Sequence, residues 1–162
     1  MVEKVKVLVI YDSRTGNTEK MAYAVAEGAR QIENVEVVLK KVDDATVKDL
    51  EWADAILAGS PTYYGQMSAK MKAFFDKSVE IHGKLEGKVG AAFTSSGGTA
   101  TGAETTLLSI IEAMLIHGMI VQGKASGKHY GAVAVGKPNK MELEICRELG
   151  KRTAKLALKL KK

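Results

Sequence analysis

Short β-branched runs alternate with longer amphipathic segments along this chain, and that change of period, from 2 to 3.6 and back, restricts it to βαβ units around a parallel sheet. The first run, Val5-Lys6-Val7-Leu8-Val9-Ile10-Tyr11, reads as a strand. A helix is expected from 17 or 18 to 31, with Met21, Ala24, Val25 and Gly28 at near-helical spacing and Thr18 as its cap. The second strand is expected over 35–39 and the third over 53–59, joined by a short turn and helix containing Leu50 and Trp52. A helix over 67–79 would bury Met71, Phe74, Phe75 and Val79. The fourth strand is expected over 89–93. A helix over 101–117 would turn Leu107, Leu108, Ile111, Met114 and Leu115 inward, and a fifth strand starts near Met119, breaks at 123–130 and resumes over 131–136. A helix over 141–160 closes the pattern.

Five strands with helices between them make a three-layer α/β/α sandwich with a five-stranded parallel sheet, and the order 2-1-3-4-5 follows from right-handed, uncrossed connections. The 162 residues suit one domain, 1–162, large enough to bury a core without disulfides or structural metals. The longest apolar runs fall far short of the roughly 20 residues of a membrane span. Met1 leads into a charged strand pattern rather than a secretory leader, and Cys146 has no second cysteine to pair with, so a reducing, cytoplasmic location is expected.

Much of the net charge of +5 comes from Lys151, Arg152, Lys155, Lys159, Lys161 and Lys162, read as a solvated helix face that can steer anionic substrates or acidic partners. Neither a helix-turn-helix nor an aromatic RNA-stacking pattern accompanies it, so nucleic acid is not an expected partner. Cys146, in phase with Leu149 and Leu156, reads as a packing thiol. Met67, Met71, Met114, Met119 and Met141 read as core fillers, and no His/Cys/carboxylate group has metal-ligand spacing.

In open α/β sheets ligands bind at the carboxyl ends of the strands, near the reversal of strand order, so the loops after strands one, three and four matter most. All three are rich in Gly, Ser and Thr. The first, Ser13-Arg14-Thr15-Gly16-Asn17-Thr18, offers hydroxyls, a permissive glycine and the N–H groups of a helix start, which together can nest a phosphate. Arg14 can add charge there or point outward. The loop lacks the lysine of a nucleoside-triphosphate P-loop and the three glycines of a dinucleotide fingerprint. The second loop, Ser60-Pro61-Thr62-Tyr63-Tyr64-Gly65-Gln66-Met67, can lay an aromatic ring or its backbone against a planar ligand. The third, Thr94-Ser95-Ser96-Gly97-Gly98-Thr99-Ala100-Thr101-Gly102, lets backbone donors approach the polar edge of a flavin. A capping loop, a surface turn and a plain connection are the alternatives for the three taken singly.

At these residues, and over nearly the whole chain, the sequence resembles the flavodoxin-like superfamily, in particular short-chain flavodoxins and WrbA-type NAD(P)H:quinone oxidoreductases. The stretches 59–67, 71–76 and 93–104 carry the resemblance, together with His117-Gly118-Met119 and Tyr130-Gly131-Ala132. The resemblance implies a flavodoxin-like fold and one non-covalently bound FMN. Ser13, Arg14, Thr15, Gly16, Asn17 and Thr18 would hold its phosphate. Pro61, Thr62, Tyr63, Tyr64 and Gly65, with Ser95, Ser96, Gly97, Gly98, Thr99 and Ala100, would frame its ring, and His117 would approach it. His82 and His129 read as surface residues.

Two roles stay open at this point: electron transfer with a redox partner protein, and NAD(P)H-driven reduction of a small acceptor such as a quinone. The WrbA-type reductases resemble this chain but carry longer insertions, a tyrosine where Thr15 stands and a lid tryptophan, whereas Trp52 lies elsewhere. A homo-oligomer is compatible with either role.

Overall fold

The computed structural model describes residues 3–161, so Met1 and Lys162, which entered the readings of the leader and the basic run, lie outside the described residues. The strands are β1 (Val5–Tyr11), β2 (Val35–Lys41), β3 (Ala55–Pro61), β4 (Val89–Ser96), β5 (Ile120–Val121) and β6 (Ala132–Val135). The helices are α1 (Asn17–Arg30), α2 (Val47–Trp52), α3 (Ala69–Lys77), α4 (Ala103–Ile116) and α5 (Lys140–Leu160). All pairings are parallel, in the order β2-β1-β3-β4-β5. The expected break in the last strand is present: β5 pairs with Val89 and Gly90, and β6 pairs further along the same strand with Phe93 to Ser96.

The alternation of side chains along the strands builds two cores. Val5, Val7, Val9 and Tyr11 face α1 and α5, together with Leu57, Phe93 and Cys146. Leu8, Ile10, Ile56 and Ala92 face the opposite layer, with Met71, Phe74, Leu107 and Ile110. Every residue of β3 and β4 is buried, as expected of central parallel strands covered on both sides. Burial among apolar neighbours, with Glu142 nearby, pushes the Cys146 thiol up to about 12, which makes it an inert packing group.

α1 and α5 approach to backbone contact. A Cβ on Gly28 would lie 1.9 Å from the Arg147 carbonyl oxygen, and one on Gly150 would lie 2.0 Å from that of Val25. The α5 start is fixed by a capping box, in which Asn139 Oδ1 accepts from the Glu142 N–H at 2.8 Å and Glu142 accepts from the Asn139 N–H at 2.9 Å.

Four expectations are corrected. The helix expected over 67–79 begins later, at Ala69 behind a Ser68 cap, and ends in a 3-10 turn over Ser78–Ile81. That tighter turn shifts the phase, so Val79 is 71% exposed and Ile81 is buried instead. Leu115 is exposed because it lies about 100° around the helix from the buried Met114. Met141, on the first turn of α5, is exposed, whereas the other four methionines named above are buried. Thr18 does not cap α1: Gly16 does, in the left-handed region at φ 93°.

Candidate functional site

The order β2-β1-β3 means that the chain leaves β1 toward one side of the sheet and returns on the other, opening a crevice beyond the carboxyl ends of β1 and β3. The first loop enters it directly. Gly16 turns the backbone, and nothing lies within 4 Å of where its Cβ would stand. The first helical bond runs from Lys20 N–H to the Gly16 carbonyl at 3.1 Å, so the N–H groups that open α1 are left for a ligand. Ser13 Oγ accepts from the Gly16 N–H at 3.1 Å and holds the turn closed. Behind it the Tyr11 hydroxyl donates to Glu19 Oε2 at 2.7 Å, fixing the first turn of α1 to the end of β1. Burial and that carboxylate raise the Tyr11 hydroxyl well above the ordinary tyrosine range.

Hydroxyl bonds tie the carboxyl edge together. β3 runs on to Pro61 and β4 to Ser96, so Ser60, Pro61 and 94–96, expected in the loops, end the strands instead. Thr18 Oγ1 in the first turn of α1 and Ser95 Oγ near the end of β4 lie 2.7 Å apart, joining the helix that follows the first loop to the strand that leads into the third. The Thr62 N–H donates to the Ser95 carbonyl at 2.9 Å, and Thr62 Oγ1 lies 2.9 Å from Thr94 Oγ1. In the second loop Tyr63 and Gln66 exchange backbone bonds across Tyr64 and Gly65, whose φ angles of 50° and 72° suit a tight primed turn. Tyr64 projects fully into solvent. The Gly102 backbone packs on that turn, since a Cβ there would stand 2.7 Å from Gly65 Cα. Ser96 bonds to Thr101 and to the Gly98 carbonyl, leaving Gly97, Thr99 and Ala100 exposed at the loop tip.

Comparison with known proteins gives the family and the fold. A family model described as "NADPH-dependent FMN reductase" matches residues 5–131. A flavodoxin of Aquifex aeolicus is 50% identical over 157 residues, covering 92% of this chain and 85% of its own. The chain belongs to that flavodoxin-like family. An NAD(P)H dehydrogenase (quinone) of Archaeoglobus fulgidus is 38% identical, with 96% of this chain and 98% of its own covered. A solved flavodoxin from the domain Archaea superposes with a TM-score of 0.81 at 32% identity, over 95% of this chain and 99% of its own.

The three loops lie at the carboxyl edge, where their positions after β1, β3 and β4 put them, and the groove there is also lined by residues that sequence reasoning passed over. A groove of about 500 Å³ is lined by Ser13, Arg14 and Tyr63 and, beyond the expected set, by Asp12, Ser68 and Lys70. Ser68 is recognisable as a helix cap, since its hydroxyl accepts from the Met71 N–H at 3.3 Å. Asp12 could have been found, since it directly follows β1 and opens the first loop, whereas Lys70 gave no signal because its place in the groove depends on how α3 packs. Lys70 also pairs with Asp43 at 3.0 Å.

His117 is not brought to this site. α4 carries it about 21 Å away from the loop that starts the helix. The Gly87 N–H donates to the Gly118 carbonyl at 2.9 Å and the Ile120 N–H to the Lys88 carbonyl at 2.8 Å, so His117 sits beside the start of β4 while Ser95 and Ser96 end it. Within one chain the imidazole of the His117-Gly118-Met119 stretch lies at the opposite edge of the sheet. His82 lies there too, its ring centroid 5.8 Å from that of His117.

Proposed function

We propose that this flavodoxin-like protein transfers electrons to and from redox partners through one FMN held non-covalently in the crevice between β1 and β3. One observation carries the reading: the start of α1, the end of β4 and the segment after β3 are cross-linked by Thr18, Ser95 and Thr62 beside a backbone turn left open at Gly16. The donor set suits FMN. Its phosphate would meet the positive end of α1, with Ser13, Arg14, Thr15, Gly16, Asn17 and Thr18 around it. Its ring would lie between Pro61, Thr62, Tyr63, Tyr64 and Gly65 on one loop and Ser95, Ser96, Gly97, Gly98, Thr99 and Ala100 on the other. Bound there, FMN supplies one- and two-electron chemistry. The chain positions the phosphate, shields part of the ring and directs backbone donors to its polar edge.

A second reading, reduction of a quinone by NAD(P)H, is favoured by the family match and by the dehydrogenase relative. That relative aligns over 189 positions, 27 more than the 162 residues here, so it carries insertions that this chain lacks, which favours the carrier role. Among the described residues no helix is long and apolar enough to cross a membrane. The buried, unpaired Cys146 supports a reducing, cytoplasmic setting.

Purified protein should show the absorption bands of oxidised flavin and release FMN on denaturation. Colourless protein that takes up no added FMN would overturn the reading. Anaerobic rapid mixing with NADH and with NADPH then separates the two roles: bleaching faster than partner-driven reduction selects the quinone reductase, and its absence selects the carrier.

A further inference from the structure

The segment 122–131, which separates β5 from β6, folds back against α5 on the side of the sheet away from α3 and α4. Ile145, Glu148, Leu149 and Arg152, spaced three and four apart, turn one face of α5 toward it. Between them lies a cavity of about 60 Å³, lined from the segment by Lys124 and Lys128. A single water takes about 10–15 Å³ of such space, so the cavity admits a group of about four or five heavy atoms but no sugar or base.

The charges around it do not balance. Lys124 Nζ meets Glu148 Oε1 at 2.7 Å, which occupies the one carboxylate of the lining. Among the described residues, Arg152 and Lys128 make no ion pair. Arg152, expected on a solvated helix face, is half-buried, and its Nη1 donates to the Gln122 carbonyl at 2.9 Å and the Gly123 carbonyl at 3.4 Å. Burial lowers its proton affinity although Glu148 opposes the shift, as befits a cation that has lost water without gaining a counter-charge. The guanidinium stays charged, and its other N–H groups form part of a flat fork that matches the oxygens of an oxyanion. The turn that carries Lys128 is closed by its own bonds: the Lys124 N–H donates to the His129 carbonyl at 3.1 Å, and His129 Nδ1–H donates to the Lys124 carbonyl at 2.8 Å.

We propose that this cavity binds one small tetrahedral oxyanion, inorganic phosphate in the simplest case, between the Arg152 guanidinium and the Lys128 ammonium. The Arg152 fork would hold two of its oxygens and Lys128 a third, while Lys124 stays on Glu148 and offsets the repulsion of that carboxylate. Ile145 and Leu149 back the site and limit it to a single group. It is separate from the phosphate nest at Gly16 and goes beyond the flavin reading.

The test is a titration of the FMN-loaded protein, ¹⁵N-labelled in backbone and arginine side chains, with sodium phosphate at fixed pH and ionic strength. Residues 13–18 report the nest separately, so a failure of the flavin reading would show there and leave this result legible. Phosphate to about 20 mM is expected to give saturable shifts confined to 122–131 and 145–152 and to move Arg152 Nε, with a Kd of about 1 mM. Chloride, which cannot span the fork, should bind about tenfold more weakly. Lys128→Gln, on the exposed turn, should weaken phosphate binding about fivefold with Tm unchanged, and Arg152→Met should abolish the shifts. Absence of a saturable shift, equal affinity for chloride, or binding unaltered in Lys128→Gln would overturn the proposal. Equal affinity for glycerol 3-phosphate would overturn the assignment to a free ion, for then the cavity holds the end of an ester.

Discussion

The two edges of the sheet are built on opposite principles. At the carboxyl edge, segments rich in Gly, Ser and Thr are cross-linked through hydroxyls and leave backbone donors for a ligand. At the other edge, helix ends leave Val79, Leu115 and Ile116 exposed around a buried imidazole with one unmatched nitrogen. A polar recognition site here needs its segments fixed to one another, whereas the apolar surface needs only that two helices end side by side. The carboxyl edge should accordingly be intolerant of change and the other edge permissive.

The largest effect is expected beneath the carboxyl edge. A Cβ on Gly59 would stand 2.0 Å from Phe93 Cε2, in a fully buried strand pair, so Gly59→Val should cost about 3 kcal/mol or more in urea unfolding. Val79→Trp at the opposite edge should stay within about 0.5 kcal/mol. Equal losses would break the comparison.

Next comes Thr18→Val, which removes the bond to Ser95 and leaves a buried hydroxyl short of a partner. It should lower stability by about 1–2 kcal/mol and FMN affinity about tenfold, read by fluorescence of the free flavin. His117→Gln should leave that affinity within about twofold, since distant sites act independently. A large loss in the monomeric protein would place His117 back at the flavin.

The same residue should be visible in a pH series. Its proton affinity is lowered in the folded chain, so the unfolded chain binds more protons below the ordinary histidine value of about 6.5. Stability from this source is present above that pH and is lost as pH falls toward the lowered folded value. His117→Gln should flatten the slope in that window, and an unchanged slope would assign it elsewhere. The smallest effect belongs to Tyr64, exposed and at φ 50°. Tyr64→Gly should raise the unfolding free energy by about 0.5 kcal/mol by relieving the left-handed strain, while weakening FMN binding about threefold by loss of ring contact.

The sequence by itself determined the layers, the strand order and the three loops, because each depends on local pattern: β-branched runs set the strands, and Gly, Ser and Thr at strand ends set the turns. The helix boundaries near Val79 were not legible, since whether a helix tightens into a 3-10 turn depends on what it packs against. The place of His117 was legible, since the segment that enters β5 of a parallel sheet must lie at the amino edge, and only the family resemblance had set it at the flavin. Tertiary structure alone decided that Gly28 and Gly150 face each other's helix backbone, and that Thr18 spends its hydroxyl on Ser95 rather than on a cap. These contacts join residues 77 or more than 100 positions apart, and no local pattern along the chain encodes which of many compatible partners will be brought within reach.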